Sequence, residues 1–316
     1  MPSPPATSKK RKQEPLDPLI ERLLDDEDLN DHFAAREELA GVEDDRREVI
    51  TEAVIAAVTG KTPRVAAIGV LADLDGPRAV EALVVLAAHP DEEVREEAVM
   101  GLGNLESRPA AAVPALVAAL SDGNEDVRDQ AADALADYAS PAAVEPLLTA
   151  LAKAHEKKRW QKDMQVGGIL QALAASGPSD PRVIEALVAH LIPGEKAVAG
   201  PAFTALTELG TKGVRADAAR PTLEQLASGA DPWMAVHAHR TLIALGGAAD
   251  EHVPAILQGL LAKDPGGEAA TAASALLQDL GATALPFLQA AASGKNAALR
   301  KVAERVRAKM AATARR

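Results

Sequence analysis

A leucine returns at nearly constant intervals from one end of this sequence to the other. It stands at Leu39, Leu71, Leu102, Leu135, Leu170, Leu206, Leu242 and Leu276, with Val306 in a ninth copy, at gaps of 32, 31, 33, 35, 36, 36, 34 and 30 residues. Four positions earlier lie Ala35, Ala67, Ala98, Ala131, Val166, Ala202, Ala238, Ala272 and Val302. Three positions later lie Val42, Leu74, Leu105, Tyr138, Leu173, Leu209 and Leu245, and the eighth copy slips by one to Leu280. Residues at i, i+4 and i+7 share one face of a helix. The small residue lets a neighbouring helix approach, and the large ones fill the groove between helices. A second apolar segment precedes each frame, as in AVEALVVLAA, VEPLLTALA and VPAILQGLL. Prolines at Pro114, Pro146, Pro221, Pro254 and Pro286 sit near the starts of these segments, where a missing N–H costs nothing. Glycines at Gly177, Gly210, Gly246 and Gly281 are placed to end the frame helices in a left-handed residue. The prediction is an all-α fold, an α-solenoid of about nine stacked helical hairpins in which each pair hides its apolar face against the next. One such domain is expected over residues 16–316, after a tail at 1–15 that is Pro-, Ser- and Lys-rich and lacks periodicity.

Two copies carry a more specific signature. Asp91, Val94, Arg95, Ala98 and Leu102 form one frame, and Val127, Arg128, Ala131 and Leu135, with Glu125 ahead of them, form the next. This frame resembles the HEAT-repeat family, in its short bacterial variety related to phycobilin-lyase-type repeats. The resemblance spans about residues 16 to 310, although the Arg is kept only at Arg64, Arg95, Arg128 and Arg300. It implies that the second helix of each hairpin lines a concave side that receives a protein partner. It also carries an alternative, an enzyme subunit handling a small aromatic or tetrapyrrole ligand, for which no residue of this sequence carries over as catalytic. A HEAT-like DNA glycosylase is a more distant alternative.

Charge and composition narrow these choices. The net charge is −12, and aromatic residues make up 2% of the chain. Residues 16–50 hold thirteen acidic and four basic residues, whereas residues 295–316 hold eight basic and one acidic. An acidic, aromatic-poor surface repels phosphate and lacks stacking platforms, which argues against nucleic acid as a partner. There is no cysteine, which removes disulfides, thiolate nucleophiles and cysteine zinc sites. No apolar run approaches the roughly 18–20 residues that span a bilayer, and the N-terminal charge cluster is not followed by the apolar stretch of a secretory leader. The Ala- and Arg-rich composition is associated with high-GC bacteria. The expectation is a cytoplasmic monomer that binds a protein, without cofactor, metal or membrane.

Glu97, Asp129, Asp133 and Asp137 stand outside the apolar frame of their helices, as does Asp73. If these helices line the concave side, the carboxylates make an acidic wall that attracts a basic segment of a partner. The plain alternative is a solvated face. The segment Ala152–Asp163 is a basic insertion that carries Trp160. It is either a contact hot spot or the packed end of a longer helix. Gly167–Gly168 inside a frame helix marks a close backbone approach or a bend. The sixth frame helix should start at or near Pro201. Trp233 should staple the entry of the seventh, and His237 and His239, two apart, point to different sides and cannot chelate one metal together. The basic C-terminal helix reads as a cap, DDED at Asp25–Asp28 as the turn of a charged first hairpin, and Lys9–Lys12 as part of a solubilising tail. No phosphate loop, GxSxG or HExxH is present, so no catalytic residue is assigned.

Overall fold

The computed structural model describes residues 17–25, 28–154, 159–262 and 267–313, with the side chains of Leu29 and of residues 159–164 left aside. The tail at 1–15, with Lys9–Lys12, lies outside the described residues, as does the middle of DDED. The described residues form eighteen α-helices linked by turns and short 3-10 segments, and no strand. Two compact units divide the chain, residues 1–115 and 116–316.

The first unit contains α1 (Pro18–Leu23), α2 (Leu29–Glu38), α3 (Asp44–Val58), α4 (Ile68–Leu74), α5 (Pro77–Leu86) and α6 (Glu92–Gly103). Carboxylates start several of these helices by accepting a free backbone N–H: Asp17 from Leu19, Asp28 from Asp31 and Asp91 from Glu93. Even-numbered helices carry the repeat frame, and Ala35, Leu39, Ala67, Leu71, Ala98, Leu102 and Leu105 are all buried. Helix α4 packs on α5 and α6. Its end is fixed by Asp75, left-handed at φ 41°, whose carboxylate accepts from the backbone N and the Oγ of Ser107 at 2.8 and 2.5 Å.

The second unit runs from α7 (Val113–Ala119), which begins at the division, through α8 (Glu125–Tyr138), α9 (Val144–Ala154), α10 (Arg159–Ser176), α11 (Pro181–Ala189), α12 (Lys196–Thr211), α13 (Arg220–Ala227), α14 (Pro232–Ala244), α15 (Ala249–Gly259), α16 (Glu268–Asp279), α17 (Leu285–Ala292) and α18 (Ala297–Thr313). The frame helices form a row: α10 packs between α8 and α12, α14 between α12 and α16, and α18 follows α16. The odd-numbered helices pack behind them. At three of its four positions the frame arginine closes the turn of its own hairpin, whereas Arg64 donates to the carbonyl of Leu24, after α1. Arg95 donates to the carbonyls of His89 and Pro90, Arg128 to those of Asp122 and Gly123, and Arg300 to that of Gly294.

Several local expectations change. In the eighth copy the buried residues are Ala273 and Leu277, while Ala272 and Leu276 are only partly covered, so the whole frame slips by one and Leu280 falls three residues after its anchor. The cap of α8 is Asn124, which accepts from Asp126 and Val127. Helices α12 and α15 begin five residues before Pro201 and Pro254, which sit inside them. A proline there forfeits one hydrogen bond near a helix end. Gly246 and Gly281 are left-handed, at φ 87° and 53°, but Gly177 and Gly210 are not. A Cβ on Gly210 would lie 2.6 Å from the Ala244 carbonyl, so glycine is there for room. The same holds for Gly167–Gly168. Pro201 of α12 would stand 3.2 Å from a Cβ on Gly167, and the Asp133 carboxylate 3.0 Å from one on Gly168. Close approach on both sides of α10, rather than a bend, accounts for the pair.

Candidate functional site

Helix α8 buries Val127, Ala131, Ala132, Ala134 and Leu135. With those positions facing inward, Asp129, Asp133 and Asp137, at i, i+4 and i+8, fall on one stripe of the other side. Asp129 is half-buried and takes a hydrogen bond from the buried Gln165 of α10. Burial pushes the Asp129 carboxyl up, and Glu125 adds to this, while Gln165 and Arg128 hold it back. Asp133 keeps much of its surface in water, but its carboxyl lies against α10 at Gly168. Partial desolvation raises its pKa, and Asp137 raises it further. Among the described residues no cation forms an ion pair with Asp129, Asp133 or Asp137. The nearest guanidinium in sequence, Arg128, donates to turn carbonyls at 2.7 and 3.1 Å instead.

Glu97 belongs to the first unit, on α6, where it is half-buried. Burial raises its pKa, Glu96 and Glu93 add to the rise, and Arg36 opposes it. Arg36 itself is held by both carboxylate oxygens of Asp73, at 2.5 and 3.0 Å, and by the Gly69 carbonyl at 3.3 Å. Trp160 lies in the first turn of α10, and its side chain is outside the described residues.

The richest side-chain chemistry of the second unit lies on α12, α14 and α16. Trp233 is the second residue of α14, where Asp231 caps the helix by accepting from Trp233 N and Met234 N. Its ring ties the helix entry to α12. It turns to His237, with centroids 4.2 Å apart, and to Phe203 of α12 at 6.1 Å, while His237 stacks on Phe203 at 5.4 Å. Burial drives the His237 pKa down to about 4, so the ring is neutral near pH 7. One helical turn on, Arg240 is nearly buried and donates Nε and Nη2 to Asp279 of α16 at 3.0 and 2.6 Å. A recess of about 300 Å³ opens among Phe203, Thr207, Glu208, His237 and Asp279. His239 points away from His237, as its position implies, and meets His252 of α15 with their Nδ1 atoms 3.1 Å apart. Spacing of 13 residues hides such a pair from any local motif. Among the described residues, no three or more His, Asp or Glu converge as metal ligands, and no helix is long and apolar enough to cross a membrane.

Comparison with known proteins agrees with the packing. The family model for HEAT repeats matches residues 59–112 and 85–161, which include both quoted frames. No curated protein matches the chain. The crystal structure of Kap121p, at 14% identity, superposes with a TM-score of 0.52 over 90% of this chain and 32% of that one. Kap121p bound to the extreme C-terminus of the protein phosphatase Cdc14p gives 14% identity, 91% and 32% coverage and a TM-score of 0.49. The crystal structure of an engineered protein gives 19%, 92% and 98%, and 0.34. The chain thus spans about a third of the karyopherin's length. The fold is all-α and of the α-solenoid class, and residues 59–161 match HEAT repeats, as the Asp-Val-Arg-Ala-Leu frames led us to expect.

Proposed function

We propose that this chain is a non-enzymatic, cytoplasmic interaction scaffold that presents carboxylates on its frame helices to a basic segment of a protein partner, and does so as a monomer. HEAT repeats form a helical scaffold typical of protein interaction, and repeats that bury only their shared faces leave long surfaces free for a partner. The observation that carries the reading is the stripe Asp129, Asp133 and Asp137. Two of its three carboxyls sit above their ordinary pKa and none has a described cation as partner. A protein keeps such charges at a cost unless something neutralises them, and a partner's lysines or arginines would. Glu97 in the first unit and Trp160 in the insertion are offered as further contacts.

Capture of an arginine-rich peptide by the full chain, weakening as salt rises, tests this. The double change Asp133→Lys with Asp137→Lys should weaken capture more than about tenfold; unchanged capture rejects the site. The repeat runs through both units and supports one domain over 16–316 with a removable tail. Brief trypsin treatment should trim at Lys9–Lys12 and leave the remainder together, whereas a stable fragment ending near residue 115 would make two domains.

A further inference from the structure

Lys196 opens α12, at the end of a helix where backbone N–H groups already concentrate positive potential. A lysine gains nothing from that position. Its ammonium lies 5.7 Å from the centroid of the Trp233 ring and pairs with Glu268, the first residue of α16. An aromatic face opposed by a carboxylate is the chemistry that receives an ammonium or guanidinium. Here the two components come from α14 and α16 and the cation from α12. Around them is an open recess of about 390 Å³ lined by Lys196, Trp233, Glu268, Thr271 and Ala272. The Trp233 ring also packs on His237 and Phe203, contacts that restrict its rotation before any ligand arrives. His237 carries no charge at neutral pH and does not repel a cation. In the next recess Arg240 answers Asp279, and Glu208 supplies a further carboxylate.

We propose that Trp233 and Glu268 form a recognition site for one lysine or arginine side chain of a protein partner, and that Lys196 fills it as a placeholder until that side chain displaces it. The ion pair is well exposed, at 36% and 54% of the two side chains, and so is weak enough to exchange. This rests on the basic-partner reading above and adds to it a defined subsite and a built-in competitor.

The test uses the full chain with Trp160→Phe, which leaves Trp233 the only tryptophan, and a nine-arginine peptide at low salt. Binding is followed by calorimetry and by Trp233 emission. A saturable change in emission is expected. Lys196→Met should tighten binding about two- to fivefold, the range of an exposed cation–π contact. Lys212→Met removes the same charge from α12's far end, beside Glu208, and should give less than half that gain. Adding Trp233→Leu to Lys196→Met should erase the gain, and the emission signal from the intact ring does not depend on how that last variant folds. Heat without any change in emission, or equal gains from Lys196→Met and Lys212→Met, would overturn the placeholder and leave the acidic-surface reading standing. No binding by the unmodified chain or by any variant would overturn both.

Discussion

The first unit and the α8 stripe of the second use acidic residues in opposite ways. The first unit holds the chain's densest negative charge, and six of its carboxylates are paired internally. Arg22 holds Asp31 and Glu38, Arg46 holds Asp17, Arg36 holds Asp73, and Arg78 holds Glu52 and Glu81. Asp17 and Glu52 are accordingly held below the usual carboxylate range, chiefly by hydrogen bonds from Arg46 and Arg78. Asp129 and Asp133 stand above it, because burial outweighs Gln165 and Arg128 at Asp129 and, at Asp133, is joined by the charge of Asp137. Acid density in a sequence therefore marks neither role: paired acids hold helices together, and a sparser unpaired run is the better candidate for a partner.

The largest expected effect tests whether both regions stand on the same frame. Leu71→Ala and Leu135→Ala should each cost about 2–5 kcal/mol in denaturant unfolding. A much smaller loss for Leu135→Ala would mean that α8 is not held as its neighbours are. Arg36→Ala comes next. It should destabilise the chain by about 1 kcal/mol, discounted for exposure, through loss of the Asp73 pair and relief for neither Asp73 nor Glu97. Reversing Glu52 or Glu81 should leave peptide capture within about twofold, in contrast to the Asp133 and Asp137 reversal, and an equal loss would erase the distinction.

The smallest effect has the opposite sign. Asp133→Asn should stabilise the chain at pH 7 by up to about 0.5 kcal/mol, as expected of a surface position. A carboxyl whose folded pKa is raised favours the fold below its unfolded value, and that contribution is lost as pH rises through the folded pKa. The gain from Asn should therefore be full above the raised pKa and vanish below the unfolded one. Asp17 reverses this: its contribution is present above the unfolded value and lost as pH falls through its lowered pKa. Thermal melts of Asp133→Asn and Asp17→Asn across the acid range should diverge accordingly.

The repeat was legible because its physics is local. A small residue and two large ones on one helical face declare a buried ridge, and the anchors from Leu39 to Leu242 are all buried. The eighth copy misled because Glu268–Leu280 offers alanines at nearly every turn and two adjacent leucines, so two registers fit the sequence and only packing selects Leu277. Pro201 sits within a helix because α10 presents Gly167 opposite it, a fact about a segment 34 residues away. The stripe on α8 could be read from spacing, but that no described cation forms an ion pair with it could not. Nor could the closure of Trp233, Phe203 and His237, or of His239 on His252, which join residues from different helices.

The guanidinium contacts of Arg95, Arg128 and Arg300 have a consequence for how such a chain changes length. Each latches its bend with donors drawn from the same hairpin. A segment that fastens itself can be copied or deleted whole without asking its neighbours for a new clasp. Lineages of this chain should therefore gain and lose members most readily at the latched pairs, and least readily at those, such as the sixth, where a proline depends on a gap in the helix before it.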